Sequence, residues 1–128
     1  GRPYGPWVDA LRRLPSTSVG PALGGELAPL LPELGEGDDG STRERLFGGV
    51  VDLLAARAHS APPVVVVLDD VQWCDDASAT LLHYVARMLR HRPLLLALAA
   101  RGGELLDNET MCKTLRALRR EGVLTEMR

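Results

Sequence analysis

The stretch Val64-Val65-Val66-Val67-Leu68-Asp69-Asp70-Val71-Gln72-Trp73 sets five aliphatic residues, four of them β-branched, directly before two carboxylates. β-Branched side chains are stiff in a helix and suit a strand. The apolar run does not alternate, which predicts a central strand of a parallel sheet with both faces covered by helices. An open parallel sheet places its chemistry just beyond the carboxyl ends of its strands. Asp69 and Asp70 stand where a metal ligand or a general base would sit. The structural alternative is that they only close the strand as turn formers or helix caps.

The segments on either side extend this strand into a layered unit. Ser41-Thr42-Arg43-Glu44 has the spacing of a capping box. A helix follows to about Ala58, with Leu46, Phe47, Val50, Val51 and Leu54 on its apolar face. Pro62-Pro63 leads into the strand. After it, Asp75 or Asp76 caps a helix over about residues 77–91, with Leu81, Leu82, Val85, Met88 and Leu89 inward. Pro93 breaks that helix, and Leu94-Leu95-Leu96-Ala97-Leu98-Ala99-Ala100 is a second unbroken apolar run, ending at Arg101. Strand, helix and strand, both strands apolar throughout, describe a right-handed βαβ unit. Asp107 or Asn108 opens a last helix with Met111, Leu115 and Leu118 inward and Gly122 at its C′ position. Residues 123–127 read as a third strand. The expected fold class is α/β in three layers, with a mainly parallel sheet of strands near 64–69, 94–100 and 123–127 covered by helices.

The first forty residues form a helical lead-in and an acidic, glycine-rich loop. Pro6 suits a helix start, Trp7, Val8, Leu11 and Leu14 recur at helical spacing, and Pro15 stops the run. Trp7 reads as a core anchor. Leu23, Leu27, Leu30, Leu31 and Leu34 could line short helices broken by Pro21, Pro29 and Pro32. The chain reads as one domain, residues 1–128, whose α/β core spans 41–128.

Composition excludes several classes. A net charge of −2 makes no electrostatic case for nucleic-acid or membrane attraction. No apolar run approaches a membrane span, and no signal-peptide pattern opens the sequence. Cys74 and Cys112 lack zinc or redox spacing and fit free thiols in a reducing cytosol. His83 and His91 lack a ligand pattern and read as solvated or capping residues. Fourteen of the fifteen basic residues are Arg, which leaves Lys113 as the one lysine available for any catalytic role.

In a parallel sheet Asp69-Asp70 and Arg101 fall on the same edge. If the two strands are neighbours, carboxylates and a guanidinium face one small volume. Acids there can hold Mg²⁺ and an Arg can meet the oxygens of a terminal phosphate, as phosphoryl transfer requires. The structural alternative is an Asp–Arg ion pair across a loop.

Arg43-Glu44-Arg45-Leu46-Phe47, Pro62-Pro63, Val64–Leu68, Asp69-Asp70-Val71-Gln72-Trp73-Cys74-Asp75, Ser78, Leu81-Leu82 and Leu94–Arg101 resemble the ATPase domain of the STAND class of P-loop NTPases. More narrowly they resemble the predicted ATPases of large LuxR-type bacterial transcriptional regulators. The opening Gly1-Arg2-Pro3-Tyr4-Gly5-Pro6-Trp7 is similar to the segment after the second strand in that group. The resemblance implies that Val64–Asp70 is the Walker B strand. It implies that Asp69 is the Mg²⁺ acid, that Asp70 positions the attacking water, and that Arg101 is the sensor-1 arginine. Trp73 and Asp75 take support roles. ATP and Mg²⁺ are implied for the longer parent, and DNA contact only through a separate helix-turn-helix domain.

One departure limits this picture. No GxxxxGK[ST] segment occurs, so the phosphate-cradling loop, its lysine and the central strand before it are absent. The expectation is an excised part of a longer protein, carrying Walker B and sensor 1, that binds ATP weakly or not at all by itself and carries no bound ATP or Mg²⁺. Its unpaired sheet edges are expected to lead either to self-association or to a compensating shift of the Val123 strand. Two rival functions remain: a non-enzymatic α/β interaction scaffold with a vestigial acid pair, and a phospho-acceptor receiver domain. The latter needs further strand-end acids and a late strand-end Lys that do not occur here.

Overall fold

The computed structural model describes residues 4–11, 43–60 and 63–124. In chain order these form α1 (Gly5–Leu11), α2 (Arg43–Ser60), β1 (Val64–Leu68), a 3₁₀ turn (Val71–Trp73), α3 (Asp76–Met88), β2 (Leu94–Leu98), the short α4 (Gly102–Leu105) and α5 (Glu109–Arg120). No described helix is long and apolar enough to cross a membrane.

β1 and β2 pair in parallel with an unshifted register, Val64 opposite Leu94 through to Leu68 opposite Leu98. The crossover between them is α3, so the predicted βαβ unit is present. Helices α1 and α2 pack on β1, α3 packs on α1 and α2, and α5 packs on α3. The fold is thus α/β, a parallel strand pair backed by helices.

The strand differs from the expectation in one respect. Its burial alternates: Val64, Val66 and Leu68 lie in the core, while Val65 and Val67 are 52% and 43% exposed. Leu95, opposite Val65, is exposed as well. Helices α1 and α2 pack on β1 and cover the face of Val64, Val66 and Leu68, so period-two geometry sends every other apolar residue to the opposite face. An unbroken apolar run reports that both sides of a strand suit a core. It does not report that both are covered in these residues. Of the third strand expected at 123–127, only the first two residues are described. Val123 and Leu124 are irregular, and residues 125–127 lie outside the described ones. The capping box at Ser41 and the leucines of 23–34 likewise lie outside them.

The core is built around Trp7, which is fully buried on α1. Its indole N–H donates to the carbonyl of Ser78 at 3.1 Å, fastening α1 to the first turn of α3. Leu46, Phe47, Val50, Leu53 and Leu54 of α2 meet Leu81, Leu82 and Val85 of α3 in the same cluster. Phe47 and Tyr84 tilt against each other with centroids 5.5 Å apart. Met88, expected inward, is exposed because the α3 face turns outward at its last residue, and Leu89 just beyond takes the buried position.

Helix α5 ends as its Gly predicts. Gly122 has φ +74°, its N–H donates to Arg119 O, and the Val123 N–H donates to Leu118 O. That is a Schellman closure, which the left-handed conformation of Gly makes possible. At the other end the Asn108 side chain caps the helix by accepting from the Met111 N–H at 2.9 Å.

Truncating Trp7 removes the largest fully buried side chain and the bond to Ser78. Trp7→Ala is expected to lower unfolding free energy by about 3–5 kcal/mol. Denaturant titration of the purified chain measures this, and a loss within the error of the extrapolation would contradict the anchor role.

Candidate functional site

The end of β1 and the end of β2 are joined before either chain turns away. Beyond the last paired residues, the Ala99 N–H donates to Leu68 O at 3.0 Å and the Val71 N–H donates to Ala99 O at 3.0 Å. Asp69 and Asp70 lie between those two bonds, both exposed. Asp70 is left-handed, φ 54° and ψ 46°. This conformation is uncommon outside Gly but tolerated by Asp, whose short polar side chain bonds locally. The reversal lets its N–H donate to Asp69 Oδ1 at 3.0 Å and starts the 3₁₀ turn.

Arg101 directly precedes α4 on the neighbouring strand end. Its guanidinium is exposed and lies 3.8 Å from Glu104 Oε1. Among the described residues no ion pair joins it to Asp69 or Asp70, so the simple Asp–Arg bridge considered from sequence is not formed. Instead the two strand ends are connected by a residue that sequence reasoning assigned no role. Gln72 is buried, and its Nε2 donates to Asp70 Oδ1 at 3.3 Å and to Glu104 Oε2 at 3.4 Å. Its Oε1 accepts from the Arg101 backbone N–H at 3.3 Å. Asn108 Nδ2 donates to Gln72 O at 3.1 Å and to Cys74 O at 2.9 Å, clamping the 3₁₀ turn from below. The only signal in the sequence was a Gln flanked by apolar residues next to an acid pair, which does not say what it would touch.

The two residues expected in support separate. Asp75 is structural: its carboxylate accepts from the Tyr4 N–H at 3.1 Å and from the Ser78 hydroxyl. It thereby ties the lead-in helix to the start of α3. Trp73 is two-thirds exposed beside the acid pair, while the residues before and after it are buried. Of the histidines, His83 is not simply solvated. Its Nε2 is 2.9 Å from Glu121 Oε2, and Arg87 Nε is 3.4 Å from Glu121 Oε1. The bond from His83, with the charges of His83, Arg87 and Arg90, holds the Glu121 carboxyl below its ordinary range despite some desolvation.

Among the described residues there is no cluster of three or more His, Cys, Asp or Glu able to hold a metal. Mg²⁺ does not need one. It keeps several waters and takes one or two carboxylates plus phosphate oxygens. Asp69 has one oxygen on the Asp70 N–H, its second carries no bond among the described residues, and the side chain faces solvent. This donor set fits one Mg²⁺ that shares its remaining positions with water and phosphate.

A parallel, helix-backed strand pair with acids at its carboxyl edge is the arrangement of a P-loop NTPase-like domain. The family model described as the AAA ATPase domain matches residues 1–97, and the chain belongs to that family. No curated protein and no solved structure matches it. The match covers Asp69, Asp70, Trp73 and Asp75 and stops before Arg101, whose place in the site rests on the strand pairing.

Cys74 is buried at the end of the 3₁₀ turn. Burial, with the neighbouring Asp75 carboxylate, pushes its thiol up to about 11. It is therefore a neutral packing group, whereas Cys112 is half-buried with its thiol on Leu105 O at 3.2 Å. A thiol reagent at pH 8 is expected to label Cys112 first and Cys74 only as the chain unfolds. Cys112→Ser should abolish the early phase, and early labelling in that variant would contradict the buried, protonated state of Cys74.

Proposed function

We propose that these residues are the acid-bearing part of the ATP–Mg²⁺ domain of a STAND-type signalling ATPase, within a large LuxR-type bacterial transcriptional regulator. The observation that carries the reading is the parallel register, which sets Asp69, Asp70 and the Arg101 segment on one edge with Gln72 bonded between them. Membership of the AAA ATPase family supports ATP as the nucleotide.

In this reading Asp69 would hold Mg²⁺ through the carboxylate oxygen that is not bonded to the Asp70 N–H. The bound ion supplies charge neutralisation at the phosphate oxygens. Asp70 accepts a hydrogen bond from the attacking water and orients it in line with the terminal phosphate. Its left-handed backbone presents the carboxylate from the start of the 3₁₀ turn. Arg101 swings from Glu104 to the γ-phosphate, an exchange open to it because the guanidinium is exposed and its contact to Glu104 is long. Trp73 shields one side of the edge, and Asp75 holds α1 and α3 in place beneath it. No GxxxxGK[ST] occurs, so the phosphate loop comes from outside these 128 residues. Contact with DNA belongs to another domain.

A second reading is the non-enzymatic interaction scaffold. It is favoured by the open apolar face of Val65, Val67 and Leu95 and by the engagement of Arg101 with Glu104. The outer edges of β1 and β2, unpaired among the described residues, would serve it through edge-to-edge association with a second chain.

The isolated chain is expected to bind labelled ATP weakly or not at all, and micromolar binding would overturn that. In a polypeptide carrying these residues together with a phosphate loop, Asp69→Asn should weaken Mg²⁺-dependent ATP binding at least about tenfold, since even outer-shell metal partners cost that much. Asp70→Asn should retain binding and slow hydrolysis by about 10² or more. Nucleotide binding and turnover unchanged in both variants would select the scaffold.

A further inference from the structure

Gln72 is one of two buried polar side chains in the described core, and every hydrogen-bonding position of its amide nitrogen is used. The two N–H groups of Nε2 go to carboxylates on different segments, Asp70 after β1 and Glu104 in α4. Oε1 takes the backbone N–H of Arg101. The partners themselves fix the amide's orientation: turned over, it would set oxygen against two carboxylates and N–H against N–H. The backbone of Gln72 cannot drift, because Asn108 holds the carbonyls of Gln72 and Cys74. Only the side chain can respond. Its three bonds, at 3.3–3.4 Å, are longer than the usual 2.9–3.0 Å for N–H···O and are easily re-made.

We propose that Gln72 is a positioning residue that couples the Asp70 carboxylate to the Arg101–Glu104 segment. Whatever engages Asp70 withdraws an acceptor from Nε2. The amide then turns toward Glu104, and the bond to the Arg101 N–H changes with it. Gln72 holds Glu104 by Oε2 and the Arg101 guanidinium meets Oε1, so a tighter hold on Oε2 draws the carboxylate away from the guanidinium and lengthens that already long contact. Occupancy at the acid is thereby reported to α4 through one side chain. The use of this coupling in nucleotide sensing rests on the function proposed above, but the coupling itself needs no nucleotide.

The test therefore uses the chain without nucleotide. Asp70→Gly removes the carboxylate at a position whose positive φ glycine adopts freely. Backbone amide resonances are compared by NMR in Asp70→Gly, in Gln72→Met and in the double variant, with Gln72→Asn as a shorter amide that cannot span all three partners. Asp70→Gly is expected to shift the Arg101 and Glu104 amides and the Gln72 side-chain amide. In either Gln72 background, its effect at Arg101 should fall to the level seen at Leu95, which has no bond to Gln72. A competing route exists through the Val71 N–H bond to Ala99 O, and it survives in every variant. An Arg101 shift that persists in the Gln72 backgrounds would assign the coupling to that backbone route. An unmoved Arg101 amide in Asp70→Gly would remove the coupling altogether. Either result overturns the proposal, and neither bears on whether Asp69 binds Mg²⁺–ATP.

Discussion

The parallel pairing of β1 with β2 is the constraint on which the rest depends. Its register brings two chain reversals to one edge and leaves Asp69 across from Ala99. A slip of one residue would move the Arg101 N–H by about 3.3 Å relative to Gln72, beyond hydrogen-bond reach. The same slip would turn Val64, Val66 and Leu68 away from α1 and α2. Core packing and site geometry are therefore specified by one set of contacts. The core holds the register, and the register assembles the edge.

That edge divides its residues by burial. Asp69, Asp70, Trp73 and Arg101 are exposed, and Gln72, Cys74 and Ser78 behind them are buried. Groups that meet a ligand need solvent access, and groups that hold them in place need satisfied bonds away from water. Asn108 contributes twice, capping α5 and bonding two carbonyls of the 3₁₀ turn. Asp75 does the same for the lead-in, since it reaches both Tyr4 and Ser78. Distant parts of the chain thus meet under the acid pair.

Much of this was legible in the sequence because it is periodic or punctuated. The valine run gave β1, Pro93 separated α3 from β2, Asp107 or Asn108 and Gly122 marked the two ends of α5, with Asn108 the cap, and Trp7 announced itself as an anchor. What the sequence did not carry is pairwise. Nothing local says that the Gln72 amide reaches Glu104 and Arg101, thirty residues on, or that Arg101 rests on Glu104. Nor does an apolar strand declare which face is covered: Val65 and Val67 are as apolar as Val64 and Val66, and only the placement of the helices distinguishes them. The Schellman closure at Gly122 folds Val123 back toward Leu118, which leaves Val123 and Leu124 irregular.

In the proposed function Asp70 and Arg101, at one edge of the strand pair, act on one bound nucleotide. A double-mutant cycle measures it most directly, with Asp70→Asn, Arg101→Ala and the pair compared for ATP turnover in a polypeptide that includes the phosphate loop. Groups acting on the same transition state lose activity non-additively. The double variant is expected to be little worse than the less active single one. Losses that simply multiply would mean that the two residues work apart, and would contradict the proposed function.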